Sequence, residues 1–375
     1  MKPSRIKPTI IGRTPSQRVP IFIGAGNLER LGRLIVPERD GQPLAMVTDR
    51  VVDGLFGNRA AAVLRDAGWK VERTVLPGGE KVKSQQTILK LHALWLQRGY
   101  DRGTPVVALG GGTIGDAVGF AAATYLRGLP LWQVPTSIVG QVDAAIGGKV
   151  GINHARGKNL IGCFYQPTGV VIDPLLLQTL PPRERKAGLA EVVKYGVIAD
   201  PVLFGLCERR LHDWLSRRQT IDDKVIQRCI RIKLRVVAAD ERDFGLRRIL
   251  NFGHTLGHAF ERWGGYRRLR HGEAVTLGMV GAAWMAHRRR IFPDGDYRRL
   301  LSLCARLHPQ AKITGWRAEM IVSFLKVDKK RSGGVNVWVL PRRIGLVTMA
   351  RDASDREIKG ALRFVGAWMS VANDE

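Results

Sequence analysis

Up to residue 181 the chain reads as short apolar strands alternating with amphipathic helices. Arg18 to Gly24 alternates between apolar and polar positions and predicts a strand, and Leu28 to Leu34 then has helical spacing. Pro43-Leu-Ala-Met-Val-Thr-Asp49 is an apolar run closed by turn-forming polar residues. After it, Gly57 to Ala67 is helical, Lys70 to Leu76 is strand-like, and Pro77 to Ser84 forms a turn feeding a helix from Gln85 to Arg98. Pro105-Val-Val-Ala-Leu109, apolar throughout, predicts a fully buried strand. It runs into Gly110-Gly-Gly-Thr-Ile-Gly115-Asp116, ahead of a helix from Ala117 to Ala123. Leu131 to Pro135 and Gly169 to Asp173 are the remaining strands, and the Gly-rich stretch from Gln141 to Asn159 reads as a loop. Strands and helices in alternation call for a mostly parallel sheet covered on both faces, the Rossmann-like layout of nucleotide-binding folds.

Beyond Pro181-Pro182 strands nearly vanish. Helical spacing recurs over Glu184 to Ile198, Val202 to Leu215, Asp222 to Val237, His254 to Trp263, Glu273 to His287 and Arg298 to Leu307, with one strand-like alternation from Val335 to Leu340. The expected architecture is an α/β nucleotide-binding domain over residues 1–181 and a mostly α-helical, metal-binding domain over 182–375. At 375 residues the chain has ample length for two cores.

Composition changes this picture in one respect. Hydrophobic residues at 45% and charged residues at 25% describe an ordinary globular chain, but the net charge of +27 is not ordinary. Nucleic acid, a membrane surface or an anionic small substrate would each exploit such a charge. The basic residues are scattered in short runs such as Arg209-Arg210 and Arg288-Arg289-Arg290, so they read as solvated helix faces, and no specific nucleic-acid partner is expected. The four cysteines are far apart and form no Cys-x-x-Cys pair, which suits thiols in a reducing compartment. No apolar core of signal-peptide length follows the basic N-terminus, and the longest apolar run, Ala274 to Ala286, falls short of the about 20 residues a bilayer span needs. A cytoplasmic protein without membrane contact is the expectation.

Candidate chemistry concentrates in Asn251-Phe-Gly-His254-Thr-Leu-Gly-His258 and in His271-Gly-Glu273. On a helix His254 and His258 share a face, and with His271 they suit a metal such as zinc, which takes three protein ligands and leaves a position open. Glu191, in Gly188-Leu-Ala-Glu-Val-Val-Lys194, is the best carboxylate candidate for that set. Two histidines four apart equally describe a helix pair with no metal. The glycines after Leu109 let the backbone approach a pyrophosphate at a helix N-terminus, or else form a tight turn with no ligand, since neither a dinucleotide fingerprint nor a Walker lysine is present. The stretch Gln141-Val-Asp143 to Lys149, with Asn153 and Gly157-Lys158-Asn159, is a plausible anion and hydroxyl cradle or a solvated surface loop.

Taken together and in order, these motifs resemble the 3-dehydroquinate synthase family of sugar-phosphate cyclases. The resemblance runs through Gly110 to Asp116, Ala123-Thr-Tyr-Leu-Arg127-Gly, Gln141-Val-Asp143, Gly147-Gly-Lys149 and Gly157-Lys-Asn-Leu-Ile-Gly162. It continues through Phe164-Tyr-Gln-Pro167, Ala187 to Gly196, Gly245-Leu-Arg247, Leu250 to His258 and His271-Gly-Glu-Ala-Val275. It implies a lyase that uses NAD and one divalent metal, zinc or cobalt, on 3-deoxy-D-arabino-heptulosonate 7-phosphate. Transient oxidation, phosphate elimination, re-reduction and an intramolecular aldol closure would give 3-dehydroquinate with no net redox.

The resemblance assigns Glu191, His254 and His271 to the metal and frees His258 for proton transfer or substrate contact, with Asp243, Lys194 and Asp143 as the other catalytic groups. Lys149, Asn159, one of Lys329 or Lys330, and Arg127 from the partner of a homodimer would take the phosphate. Lys233 and Arg247 would take the carboxylate, and Asn251 a hydroxyl. Around NAD it places Asp49, Glu80, Lys83, Gly111, Gly112 and Thr113, then Asp116, Thr136, Ser137, Lys158 and Thr179. Asp243 stands where the family commonly has Glu, one methylene longer, and Thr113 where a branched aliphatic is usual. Sibling cyclases acting on carboxylate-free sugar phosphates, and metal-dependent polyol dehydrogenases, are the alternative activities.

Overall fold

The computed structural model of the chain describes residues 6–216, 220–307, 313, 315–331 and 336–372. It divides into two compact units, Met1–Leu180 with Thr220–Arg242, and Pro181–Gln219 with Asp243–Glu375.

The first unit is built on β1 (Ile10–Arg13), β2 (Arg18–Ile23), β3 (Gln42–Asp49), β4 (Trp69–Leu76), β5 (Val106–Gly110), β6 (Leu131–Pro135) and, after the hairpin of β7 (Lys149–His154) and β8 (Gly157–Phe164), β9 (Gly169–Ile172). The main sheet has the order β1-β2-β9-β6-β5-β3-β4, with β1 antiparallel to β2 and every other pairing parallel. Its central strands are buried on both faces. In β3, Leu44 and Met46 pack with Leu31 of α1 (Leu31–Leu34) and Leu64 of α3 (Asn58–Asp66), the short α2 (Arg50–Val52) lying between. Ala45 and Val47 face the opposite way, toward Leu91 of α4 (Gln85–Gln97) and Ile114 and Val118 of α5 (Gly112–Thr124). That double burial is why these strands are continuous apolar runs. From β3 the chain adds β4 on one side, then returns to add β5 on the other, so the order reverses between β3 and β5. Open parallel sheets bind dinucleotides at the carboxyl ends of the strands flanking such a reversal.

The second unit contains α6 (Pro182–Ala199), α7 (Pro201–Leu215), α9 (His254–Trp263), α10 (His271–Arg288), α11 (Asp294–Arg306), α12 (Ala318–Arg331) and α13 (Asp355–Ala372), with a hairpin of β10 (Trp338–Arg343) and β11 (Leu346–Ala350). Asp200 caps α7 by accepting the Leu203 N–H at 3.0 Å, and Pro201 takes the first helical position, where the missing N–H costs nothing. Among the described residues no helix is long and apolar enough to cross a membrane.

Several sequence expectations are corrected. α8 (Asp223–Ala239), within the expected helical domain, groups with the first unit, where Lys233 Nζ donates to the Asp143 carbonyl at 2.6 Å. The stretch read as a loop over 141–159 becomes a π-helical turn, Gly140–Ala144, and then the β7–β8 hairpin. Its second strand escapes a periodicity argument because β8 is exposed at every position from Asn159 to Phe164. α5 starts at Gly112, five residues before Ala117, and β1, β11, α12 and α13 were not anticipated.

Candidate functional site

The imidazoles come together because three helices of the second unit approach unusually closely. A Cβ on Gly272 would lie 1.8 Å from the Ala187 carbonyl oxygen, so α10 touches the α6 backbone one turn before Glu191. Gly253 holds φ at 78°, ending the preceding 3-10 turn so that His254 opens α9. The loop into α10 is held by Arg183, which donates to both oxygens of the buried Glu273 at 2.7 Å and to the Arg268 carbonyl at 2.7 Å.

Within this frame the ligand atoms of Glu191, His254 and His271 all lie within 4.8 Å of one another. Nε2 of His254 stands 3.7 Å from Glu191 Oε1, and Nε2 of His271 stands 3.5 Å from the same oxygen. Each ring turns its other nitrogen to an acceptor: His254 Nδ1 donates to the Phe252 carbonyl at 3.1 Å, and His271 Nδ1 to Glu261 Oε2 at 3.3 Å. With Nδ1 donating, each ring turns its Nε2 toward the carboxylate, an orientation that suits a shared cation. Burial, with Lys194 beside it, holds His254 below its ordinary pKa. Burial acts the same way on His271 but is overridden by Glu191 and Glu261, which raise it. The donor set, one carboxylate and two imidazoles, therefore fits a divalent ion of the zinc or cobalt kind.

The other residues assigned to this unit fall around the same helices. Lys194, buried, pairs with Glu191 one turn away on α6. Arg247 is 2% exposed, which excludes the solvated-surface alternative for it. His258 is exposed on α9, its ring centroid 5.4 Å from that of His254, and Asn251 is exposed at the end of the preceding turn. The side chains of Lys329 and Lys330 lie outside the described residues. Sequence reasoning missed Glu261. It is 3% exposed, it sits one turn from His258 on α9, and with His258 and His271 it forms a second group of potential ligands. An acid on the same helical face as His254 and His258 was the signal available.

In the first unit the assigned NAD residues line the carboxyl ends of the sheet. Asp49 ends β3 and caps the next turn, accepting the Val51 and Val52 N–H groups at 3.0 and 3.1 Å. Glu80 and Lys83 follow β4, while Gly111, Gly112, Thr113 and Asp116 follow β5 and open α5. Thr136 and Ser137 follow β6, and Thr179 ends the 3-10 turn after β9. Lys83, buried, donates to Asp116 Oδ2 at 2.6 Å and to Asn159 Oδ1, and Asn153 Nδ2 donates to Glu80 Oε1 at 2.9 Å. Burial raises the Asp116 carboxyl against the pull of Lys83. Lys158 Nζ lies 3.9 Å from Glu80 Oε2. Asn159 thus sits with the group assigned to NAD, while Lys149 and Arg127 are exposed on separate segments. Lys233 pairs with Asp143 Oδ1 at 2.6 Å. Arg127, Asn159 and Asp243 are three of six non-glycine residues with positive φ among those described, at 68°, 53° and 62°. Such strain gathers at functional sites.

The chain is similar to known proteins over most of its length. The 3-dehydroquinate synthase N-terminal family matches residues 73–187, and the corresponding C-terminal family matches residues 188–331. A 3-dehydroquinate synthase of Desulforamulus reducens is 42% identical over 92% of this chain and 96% of its own length. One of Geobacter metallireducens is 45% identical over 88% and 93%, respectively. Among solved structures, the 2-epi-5-epi-valiolone synthase of Streptomyces hygroscopicus with NAD+ and Zn2+ bound superposes with a TM-score of 0.85 at 27% identity, covering 96% of this chain and 99% of the other. A 2-deoxy-scyllo-inosose synthase complexed with carbaglucose-6-phosphate, NAD+ and Co2+ gives 0.82 at 26%, covering 95% and 99%. A glycerol dehydrogenase of Schizosaccharomyces pombe, at 17% identity and a TM-score of 0.64, shares the fold. By its sequence along nearly its full length, the chain belongs to the 3-dehydroquinate synthase family.

Proposed function

We propose that this chain converts 3-deoxy-D-arabino-heptulosonate 7-phosphate to 3-dehydroquinate and phosphate, with Glu191, His254 and His271 holding one divalent ion. The observation that carries the reading is that donor set, gathered on α6, α9 and α10 in a chain of this family. When bound, the ion supplies Lewis acidity to substrate oxygens and NAD takes up and returns a hydride within each turnover.

The chain's own residues bind, orient and move protons. In the first unit, Asp49, Glu80, Lys83 and the Gly111 to Asp116 turn receive the dinucleotide at the strand-order reversal, where the α5 N-terminus favours its pyrophosphate. Thr136, Ser137, Lys158 and Thr179 complete that lining. Lys149 and Asn159 meet the substrate phosphate, and Lys233 its carboxylate. Asp143, paired with Lys233 at 2.6 Å, accepts from a hydroxyl. In the second unit, Arg247 takes the carboxylate. It is buried, at 2% exposure, where a guanidinium suits a carboxylate in fixed geometry. Lys194 and Asn251 hold hydroxyls, and His258 and Asp243 move protons, Asp243 from a backbone position at φ 62° that aims a shorter acid.

The same reading makes the chain a homodimer in which Arg127 serves the partner's phosphate. It is supported by β8, paired only with β7 among the described residues and exposing Leu160, Ile161 and Phe164, because an open strand edge with apolar side chains invites a second copy. A cytoplasmic location is supported by the four cysteines, all of them free thiols.

The test is phosphate release from the heptulosonate phosphate by the purified protein, with and without added NAD, zinc and a chelator, and beside glucose 6-phosphate as a carboxylate-free substrate. Release that needs both cofactors, with no net NADH, is expected. Release from glucose 6-phosphate alone, or steady NADH accumulation, would overturn the assignment in favour of a sibling cyclase or a polyol dehydrogenase.

A further inference from the structure

Arg127 stands on a strained turn. Leu126 and Arg127 have φ of 47° and 68°, the one place among the described residues where two side-chain-bearing neighbours are both left-handed, and Gly128 follows at 129°. Left-handed backbone is disfavoured for every residue with a Cβ, so the conformation persists only where its surroundings dictate it.

Three ties do so from the turn's own neighbourhood. The Gly128 N–H donates to the Tyr125 carbonyl at 2.9 Å, the Leu129 N–H to the Ala122 carbonyl at 3.0 Å, and Arg102 Nε to the Leu126 carbonyl at 3.1 Å. A fourth comes from far along the chain. Tyr165 Oη donates to the Leu129 carbonyl at 2.6 Å, and the same hydroxyl lies 2.9 Å from where a Cβ on Gly128 would sit. The ring thus closes over the turn and admits only glycine at 128. Through its backbone, the Tyr165 N–H donates to the Gly148 carbonyl at 2.7 Å, next to Lys149. A single residue therefore ties down the turn bearing Arg127 and the strand start bearing Lys149.

We propose that Tyr165 is a positioning residue, whose hydroxyl holds the left-handed turn that presents Arg127 to the substrate phosphate. The inference rests on the assignment of Arg127 to phosphate, and the test separates the two. Inhibition by inorganic phosphate and KM are measured for the NAD- and zinc-loaded enzyme carrying Tyr165→Phe, Arg127→Ala and both, with melting temperatures recorded alongside. Tyr165→Phe is expected to weaken phosphate inhibition about three- to tenfold, the worth of one hydrogen bond, with kcat little changed. In the Arg127→Ala background the same substitution should have almost no effect, because a residue acting only through Arg127 has nothing left to position. Leu126→Asn, which tolerates left-handed backbone, should restore part of the loss in Tyr165→Phe. Equal effects of Tyr165→Phe in both backgrounds, or no effect in either, would overturn the proposal. Arg127→Ala with unaltered phosphate inhibition would instead remove the assignment of Arg127 on which it rests, and the proposal with it.

Discussion

Replacing Gly272 with alanine adds one methyl group, and the structure says where it goes. The new Cβ would lie 1.8 Å from the Ala187 carbonyl oxygen, where ordinary contact begins at 3.4 Å, so α10 and α6 must part by about 1.6 Å. The obstacle is backbone, which cannot rotate aside as a side chain would. Metal sites tolerate displacements of about 0.2 Å in their ligands, and here the displaced residue adjoins His271 while the yielding helix carries Glu191. Overpacking of this kind costs about 1–3 kcal/mol of stability, but the loss of zinc affinity should be larger in proportion, about a hundredfold or more. Zinc dissociation constants follow from competition with a chromophoric chelator, and circular dichroism of the metal-free protein reports the fold. Gly295→Ala, in the first turn of α11 with nothing within 4 Å of the added Cβ, is the control and should leave both unchanged. A folded Gly272→Ala protein that binds zinc within twofold of its parent would refute the view that this close crossing builds the metal centre.

Other consequences can be checked with simpler variants. Glu261→Gln keeps the shape but weakens the acceptor for His271 Nδ1, and should loosen zinc about ten- to a hundredfold in the same chelator assay. Arg247→Ala should lower kcat/KM for the heptulosonate phosphate by about a hundredfold or more, since a buried cation is lost from a charged contact; near-normal kinetics would shift the assignment toward a sibling cyclase. Glu241 tests pH dependence. Burial would raise its carboxyl, but hydrogen bonds from Ser16, Gln166 and Thr14 prevail and hold it below its ordinary 4.5. A depressed folded pKa contributes stability above the unfolded value and loses it as pH falls through the folded one. The parent should therefore be slightly more stable than Glu241→Gln at pH 7, with the difference shrinking below about pH 4 in urea titrations; a gap that widens in acid would contradict the sign.

The sequence by itself determined the class of fold and the identity of the chemistry. Runs such as Pro105 to Leu109, apolar on both faces, belong to a parallel sheet under two layers of helix, and β5 lies where that run predicts. The order and spacing of the Gly110, Glu191, His254 and His271 motifs were enough to point to a family, because those residue types are demanded by reaction chemistry and leave a local trace. Elements whose side chains obey no interior periodicity were not legible: β8 is exposed from Asn159 to Phe164, and the first turn of α5 is written in glycine and threonine, which local propensity reads as loop. Spacing alone could not choose between His254 and His258, which share a helical face; the resemblance chose His254, and Glu191 on α6 does stand within reach of His254 and His271. Tertiary structure alone decided that Glu261 stands behind His271, that α8 leaves the helical half for the first unit, and that Tyr165 reaches back to the Arg127 turn. Each of these depends on backbone segments meeting across many residues of sequence. Local patterns carry no record of such meetings, because burial and hydrogen bonding are settled by whichever segment arrives from elsewhere.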